Sequence, residues 1–460
     1  MRRRGLGAIV GATAALVIVA GYAVADARDL VPGVLTASDA PEPADPPELA
    51  AQSGPVMELA QSGEGAAVAA DSVTDLWSGV SSAAAEGSWK AWGMVMDAAT
   101  GEVLLDASSS SVHTPASTTK ILTAVSALSH LDETATLATG ASLEGTDLYL
   151  WGQGDLMLAR GEGDPDAVDG RAGVADLAEA TAAALEERGI TQVTLRWNHE
   201  IFTGASHLPA WDAQDSGDFE GRVGAFAIDG GRETPGSDQG FADDPGRDVA
   251  AELAADLRGA GIEAVITGES AVPDGAQEIA RVESATIGQQ VRWMLHHSDN
   301  TLADQFCRLA AAAAGAEPSY AGAASTVAQT LTSLGVDTTG LVMEDCSGLS
   351  TNDRISAKTL VGALDASMGA DAPALGDLVR SLPWGGLDGT LDTRFSSGPA
   401  AANVQAKTGS LPTVSSLAGV VTTSGGRTLV FAVGNDEVPD DGAYWTRAPL
   451  DEFVQGLAGL

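Results

Sequence analysis

The chain has 460 residues, 44% of them hydrophobic, and carries 63 acidic against 24 basic side chains, a net charge of −39. That length can bury a substantial core and accommodates two domains beyond a tail. The charge excludes a nucleic-acid-binding role, because so few cations cannot neutralise a phosphate backbone, and it obliges any anionic substrate to find a local cationic anchor.

At the N-terminus three arginines precede an apolar stretch from Gly5 to Ala25, with small residues after it. Residues 1–27 have the layout of a secretory signal and are also long enough to span a bilayer as an uncleaved anchor. Under either reading the arginines stay inside and the rest is exported, so the expected location is the cell envelope, secreted or membrane-anchored. Residues 28–72, rich in Pro, Ala, Asp and Glu, read as a disordered spacer. The two cysteines, Cys307 and Cys346, then meet an oxidising compartment; spacing alone leaves open whether they pair. No CxxC pair or His/Cys cluster is present, so neither a metal nor a cofactor is expected.

Further along, "AWGMVMDAATGEVLLDAS" holds two β-rich runs around the Ala99-Thr100-Gly101 turn and reads as a hairpin. Then comes "PASTTKILTAVSAL", with Thr114 as N-cap, Pro115 at the first helical position and Ile121, Val125 and Leu128 at helical spacing. From 141 to 283 short strand-like runs alternate with two Ala-rich helical patterns, which reads as an inserted α/β domain. Helical patterns return at "ATIGQQVRWMLHH" and "TLADQFCRLAAAAAG", with Ser298-Asp299-Asn300 between them. "AANVQAKTG", "SSLAGVVTT" and "RTLVFAVGN" read as three consecutive strands. Residues 73–140 and 284–460 are therefore expected to form one α+β catalytic domain around the insertion.

Lysine is scarce: Lys90, Lys120, Lys358 and Lys407 are all there are. Lys120 stands near a helix N-terminus, where an ammonium opposes the macrodipole, and three residues after Ser117, within side-chain reach. Such a placement disfavours the charged amine and suits a neutral proton acceptor. Serine is a poor nucleophile until a base takes its proton. Lys120 can be that base if burial, the helix end and a second cation, Lys407, lower its pKa. Ser298 can relay a proton to a leaving amine, and Asn300 can hold Lys120 and a substrate amide. Gly409 leaves room for a substrate backbone along the strand. Backbone N–H groups of Ser117 and Ser410 can form an oxyanion hole. Thr408 and Ser410 hydroxyls, with Lys407, can hold a terminal carboxylate. This chemistry is serine acyl transfer.

Together, Ser117-Thr-Thr-Lys120, Ser298-Asp-Asn300 and Lys407-Thr-Gly409 resemble the three motifs of penicillin-binding proteins and serine β-lactamases. "HHSDNTLADQF", "DCSGLSTNDRIS" and "LPWGGLDGTLDTRF" narrow the resemblance to the D-alanyl-D-alanine carboxypeptidase/endopeptidase branch, which carries a domain inserted after the nucleophile helix. The resemblance implies a transpeptidase-type α+β fold, with an antiparallel sheet beside a helical part. It also implies penicillin-sensitive cleavage of peptidoglycan stem peptides, with β-lactams as covalent inhibitors. Three positions depart from the family pattern: Cys346 where Gly is usual, Asp304 where Glu is usual, and Leu156 where Pro is common. Two other functions stay in view: a serine β-lactamase or esterase, and a non-catalytic envelope-binding protein on the same fold. The six histidines lack metal-ligand spacing, and the tryptophans read as core, with Trp384 in its glycine-rich loop the exception.

Overall fold

The first helix among the described residues, α1 (Ala70–Gly87), buries Val73, Trp77, Val80 and Ala84, a stripe at helical spacing. The computed structural model describes residues 65–237, 239–369 and 375–460. The expected signal or anchor, and the spacer up to residue 64, lie outside the described residues. The last residues assigned to the spacer belong to the fold, since α1 starts at Ala70 and the Ala66 N–H donates to Gly425 O.

In chain order, β1 (Lys90–Asp97) and β2 (Val103–Ala107) form the expected hairpin, and β3 (Val112–His113) leads to a 3-10 turn, Ala116–Thr119, and to α2 (Lys120–His130). Next come β4 (Ala138–Glu144), β5 (Asp147–Gly152), β6 (Asp155–Leu158), α3 (Val174–Glu186), β7 (Gln192–Trp197), β8 (Phe226–Ile228), α4 (Pro245–Gly259), β9 (Glu263–Glu269) and β10 (Gln277–Glu283). The helices α5 (Ile287–His297), α6 (Asn300–Ala313) and α7 (Tyr320–Ser333) follow, then β11 (Ile355–Ser356) and α8 (Ala357–Met368). The chain closes with β12 (Val404–Leu411), β13 (Val414–Thr422), β14 (Thr428–Asp436) and α9 (Arg447–Gly459).

Strands β12-β13-β14-β1-β2 form an antiparallel five-stranded sheet. Alternation along β14 divides its faces: Leu429, Phe431 and Val433 pack with Val73, Trp77 and Phe453 of α1 and α9, while Val430 and Ala432 pack with Ile121, Val125 and Leu364 of the helical part. Both faces are covered, so the strands read as near-continuous apolar runs. A second sheet, β10-β4-β5-β7-β9, is antiparallel at one end and parallel at the other, and has its own core with Leu177 of α3 and Leu253 of α4. The whole is α+β, with the second sheet placed between α2 and α5 in sequence.

The helix after Ser117 begins differently from its sequence pattern. Thr114 makes no capping bond; its hydroxyl accepts from Arg354 instead. Ala116 sits in the left-handed region at φ +52°, which prevents a continuous α-helix from Pro115. Thr118 and Thr119 hydroxyls donate to the Pro115 and Ala116 carbonyls and tighten the 3-10 turn, so the α-helix starts at Lys120.

Candidate active site

Four elements converge where the tight turn carrying Ser117 meets the α5–α6 junction, the loop after α7 and strand β12. Lys120 is fully buried, and its Nζ donates to Ser117 Oγ at 2.9 Å, Asn300 Oδ1 at 2.7 Å and Ser347 O at 2.7 Å. Lys407, equally buried, donates to Ser298 Oγ at 2.8 Å and to Thr408 O at 2.9 Å. Ser117, Ser298 and Asn300 line one cavity of about 360 Å³.

Local backbone explains these positions. Ser298 terminates α5 in the left-handed region, φ +57°, and Asp299 then caps α6 by accepting from the Leu302 N–H. The left-handed residue turns the chain between two helices within one step and lifts Ser298 toward the cleft. Left-handed non-glycine residues at Ala116 and Ser298 cost free energy of order 1–3 kcal/mol each, and such strain persists where surrounding structure dictates it.

Gly409 also serves packing. A Cβ there would lie 2.1 Å from Ser416 Oγ and 2.7 Å from Pro115 O, so glycine lets β12 pack on the turn carrying Ser117. Ser416 Oγ also donates to Pro115 O, fixing the same contact. Thr408 donates to Thr390, and Ser410 accepts from Arg447, so both hydroxyls are held by neighbours of β12. Trp384 is tied to Gln405 of β12 by a bridge and is half-buried.

Electrostatics set the amine's state. Burial pulls the Lys120 pKa down to about 8, while Glu220, Asp345, Asp304 and Asp299 push it back up. Of the three causes expected from sequence, burial is the dominant one, and neither the helix end nor Lys407 is among the leading causes. Burial, and after it the neighbouring Lys120, hold Lys407 well below its ordinary value.

The carboxylates behind Lys120 were not legible as site residues. Asp304 Oδ1 accepts from Cys346 N–H, and Asp345 accepts from Gly348, Ser350 and Trp211, which together fold the loop that aims the Ser347 carbonyl at Lys120. Cys346 is bridged to Cys307 of α6, so two departures from the family pattern, Cys346 and Asp304, meet at one point of this loop. Glu220 is buried with neither carboxylate oxygen bonded, and burial followed by Asp304 and Asp345 raises its pKa well above the usual range. Its neighbours clamp the start of α6: Phe219 O accepts from Asn300 Nδ2 and the Gly221 N–H donates to Thr301. Arg232, also before α4, donates to Asp299 Oδ2 at 2.6 Å. The segment between β7 and α4 thus holds the Ser298–Asn300 corner. No periodicity in the sequence links positions so far apart.

Among the described residues no group of His, Cys, Asp and Glu is arranged to hold a metal ion.

The D-Ala-D-Ala carboxypeptidase 3 (S13) family matches residues 78–240 and 226–457. Carboxypeptidase Rv3627c of Mycobacterium tuberculosis is 34% identical over 363 residues, covering 76% of this chain and 77% of its own. Carboxypeptidase DacB of Mycolicibacterium smegmatis is 36% identical over 358 residues, covering 74% and 75%. Among solved structures, penicillin binding protein 4 of Haemophilus influenzae has the same fold, with a TM-score of 0.65 at 21% identity over 84% of this chain and 99% of that one. A match over nearly all described residues, and two carboxypeptidases similar across three quarters of the length, place this chain in the D-Ala-D-Ala carboxypeptidase 3 (S13) family.

Proposed function

We propose that the protein is a serine D-alanyl-D-alanine carboxypeptidase that cleaves peptidoglycan stem peptides through an acyl-serine intermediate and is trapped by β-lactams. The carrying observation is the fully buried Lys120 amine at 2.9 Å from Ser117 Oγ.

In its neutral form Lys120 keeps two N–H donors for Asn300 Oδ1 and Ser347 O and turns its lone pair to the Ser117 hydroxyl. Lys120 takes the Ser117 proton as Oγ attacks the carbonyl carbon of the penultimate D-alanine. Backbone N–H groups of Ser117 and Ser410 receive the oxyanion. The tetrahedral adduct collapses, the C–N bond breaks, and the leaving amine collects a proton passed from the Lys120 ammonium through Ser298, whose hydroxyl Lys407 orients. Asn300 keeps Lys120 in register, and Thr408, Gly409 and Ser410 border the peptide. A water deprotonated by the same amine then hydrolyses the ester, and Ser117 recovers its proton. A β-lactam follows the first half, but its leaving amine stays tethered to the acyl group.

The location that fits is the cell envelope, where peptidoglycan lies and where a disulfide such as Cys307–Cys346 persists. Among the described residues no helix is long and apolar enough to cross a membrane. The test is D-alanine release from a pentapeptide, with labelled penicillin and mass mapping in parallel. Release together with a lasting adduct on the Ser117 peptide, both lost in Ser117→Ala, is the expected result. Rapid turnover of the adduct without D-alanine release would make the protein a β-lactamase, and neither activity would leave a binding protein.

A further inference from the structure

Two aromatic side chains stand in water beyond the end of β12. Trp445 is 80% exposed and Tyr444 60%, and no other large apolar side chain among the described residues is as exposed as Trp445. They occupy the middle of a 3-10 turn, Ala443–Thr446, between β14 and α9, and the outer residues of that turn are buried. The Ala443 N–H donates to Pro412 O, and Asn435 Nδ2 of β14 donates to Thr446 O, so the turn is fixed at both ends. The two rings meet edge to face at 89°, with centroids 5.0 Å apart. Arg447 lies 4.6 Å over the Tyr444 ring and donates to Ser410 Oγ, which ties the pair to β12. Neither the Trp445 indole N–H nor the Tyr444 hydroxyl makes a hydrogen bond among the described residues. Trp445 therefore departs from the core role expected of the tryptophans. A rigidly held indole left in water contributes no burial to the fold, so its exposure points to a ligand that covers it.

We propose that Tyr444 and Trp445 form a shelf on which a pyranose ring of the glycan chain stacks while the stem peptide it carries lies along the cleft. The proposal rests on the carboxypeptidase reading and adds a contact to the sugar part of the substrate. Position along β12 selects this occupant. In the mechanism proposed above, Lys407 serves the leaving amine and the Ser410 N–H serves the acyl carbonyl. The chain beyond Ser410 leads to Pro412 and the aromatic turn, on the acyl side, where the stem peptide runs back to its sugar. A pyranose offers a flat face of C–H groups to the indole, and its hydroxyl and acetamido oxygens accept from the free N–H and O–H. Charge selects the same occupant. Glu437 and Asp441 lie on this connection and the chain carries a net −39, which repels an anionic lipid surface or an acidic polymer. A neutral sugar needs no cation.

The test titrates the full chain with a soluble N-acetylglucosamine tetramer, which carries no peptide, and follows indole fluorescence. A saturable change, lost in Trp445→Ala and weakened in Tyr444→Ala, is the expected result. In parallel, D-alanine release is measured from a free pentapeptide and from the same pentapeptide borne on a disaccharide. Trp445→Ala should leave the free peptide unchanged and raise KM for the sugar-borne one about three- to tenfold, the scale of one aromatic contact, with kcat held. Trp445→Phe should recover part of that loss. No response of the wild type to the tetramer, or equal changes in KM on the two substrates, would remove the shelf while leaving the carboxypeptidase reading intact. A wild-type dimer, or binding to vesicles of anionic lipid, that Trp445→Ala abolishes would also remove it, because the pair would then serve a second copy or a membrane. Failure of the wild type on both substrates would instead remove the reading on which the shelf rests.

Discussion

The cleft and the outer surface each hold two of the four lysines, and they push the same side chain in opposite directions. On the surface, Lys90 meets Glu437 at 2.5 Å and Lys358 meets Asp337 at 2.8 Å, and hydrogen bonding to those carboxylates raises both amines. In the cleft, Lys120 and Lys407 touch only hydroxyl, amide and carbonyl oxygens, and burial lowers both. The nearest carboxylates stand behind Lys120 and only partly restore its charge. The difference teaches that partner chemistry and desolvation together lower the amine of a residue that elsewhere is held as a cation.

The strongest way to break the comparison is to delete the cleft amine. Lys120→Ala should slow acylation of Ser117 by labelled penicillin about 10²- to 10⁴-fold, the usual scale of general-base catalysis, while the variant remains folded by circular dichroism. An unchanged acylation rate would put the base elsewhere and reduce the contrast between the two lysine settings to an effect of burial alone.

The disulfide comes next, because it fixes the loop whose Ser347 carbonyl holds Lys120. Replacing Cys307 and Cys346 with serine should lower stability by about 2–4 kcal/mol, read from urea unfolding. Acylation should fall as well, since the carbonyl loses its fixed position. A stable variant with intact acylation would show that Asp304 and Asp345 hold the loop without the bridge.

A smaller effect sharpens the comparison through pH. Only the neutral amine accepts a proton, so acylation should climb with pH and level off above about 8, where Lys120 titrates. Glu220 favours the ammonium, so Glu220→Gln should move that rising limb to lower pH. A limb left in place would mean that Glu220 stays neutral throughout and does not influence Lys120. Stability should follow the same amine. The folded pKa lies below the ordinary lysine value of 10.5, so from about 8 upward the unfolded chain binds a proton that the folded chain lacks, and stability rises across that window.

How much of this was legible depended on whether the determining contacts were local. Ser117 and Lys120 stand three residues apart around the 3-10 turn that opens α2, and the three C-terminal strands are apolar runs separated by short turns, so short-range pattern sufficed. The partners that tune the site come from far away. Ser347, Glu220, Arg232 and Arg447 reach Lys120, the Ser298–Asn300 corner and Ser410 from loops and helix ends that carry no period of their own. The 3-10 turn at Ala116 was missed because Pro115 and the apolar spacing both favour an α-helix, and tertiary contact with β12 overrides them. Gly409 was read as substrate room because sequence shows a missing side chain but not what fills the space.

The smallest expected effect lies on the surface and completes the contrast. Lys358→Gln removes the ion pair with Asp337, whose carboxylate also accepts from the Thr339 N–H and so keeps a donor after the change. Both side chains are exposed enough for water and salt to replace the lost contact. Thermal midpoints of variant and wild type should coincide at physiological salt, and acylation rates should be identical. A drop in stability comparable to that from losing the disulfide would mean that the surface lysines are as bound to their surroundings as the cleft pair. The contrast would then no longer separate a structural cation from a catalytic amine, and the depressed Lys120 would need a cause other than its burial among neutral oxygens.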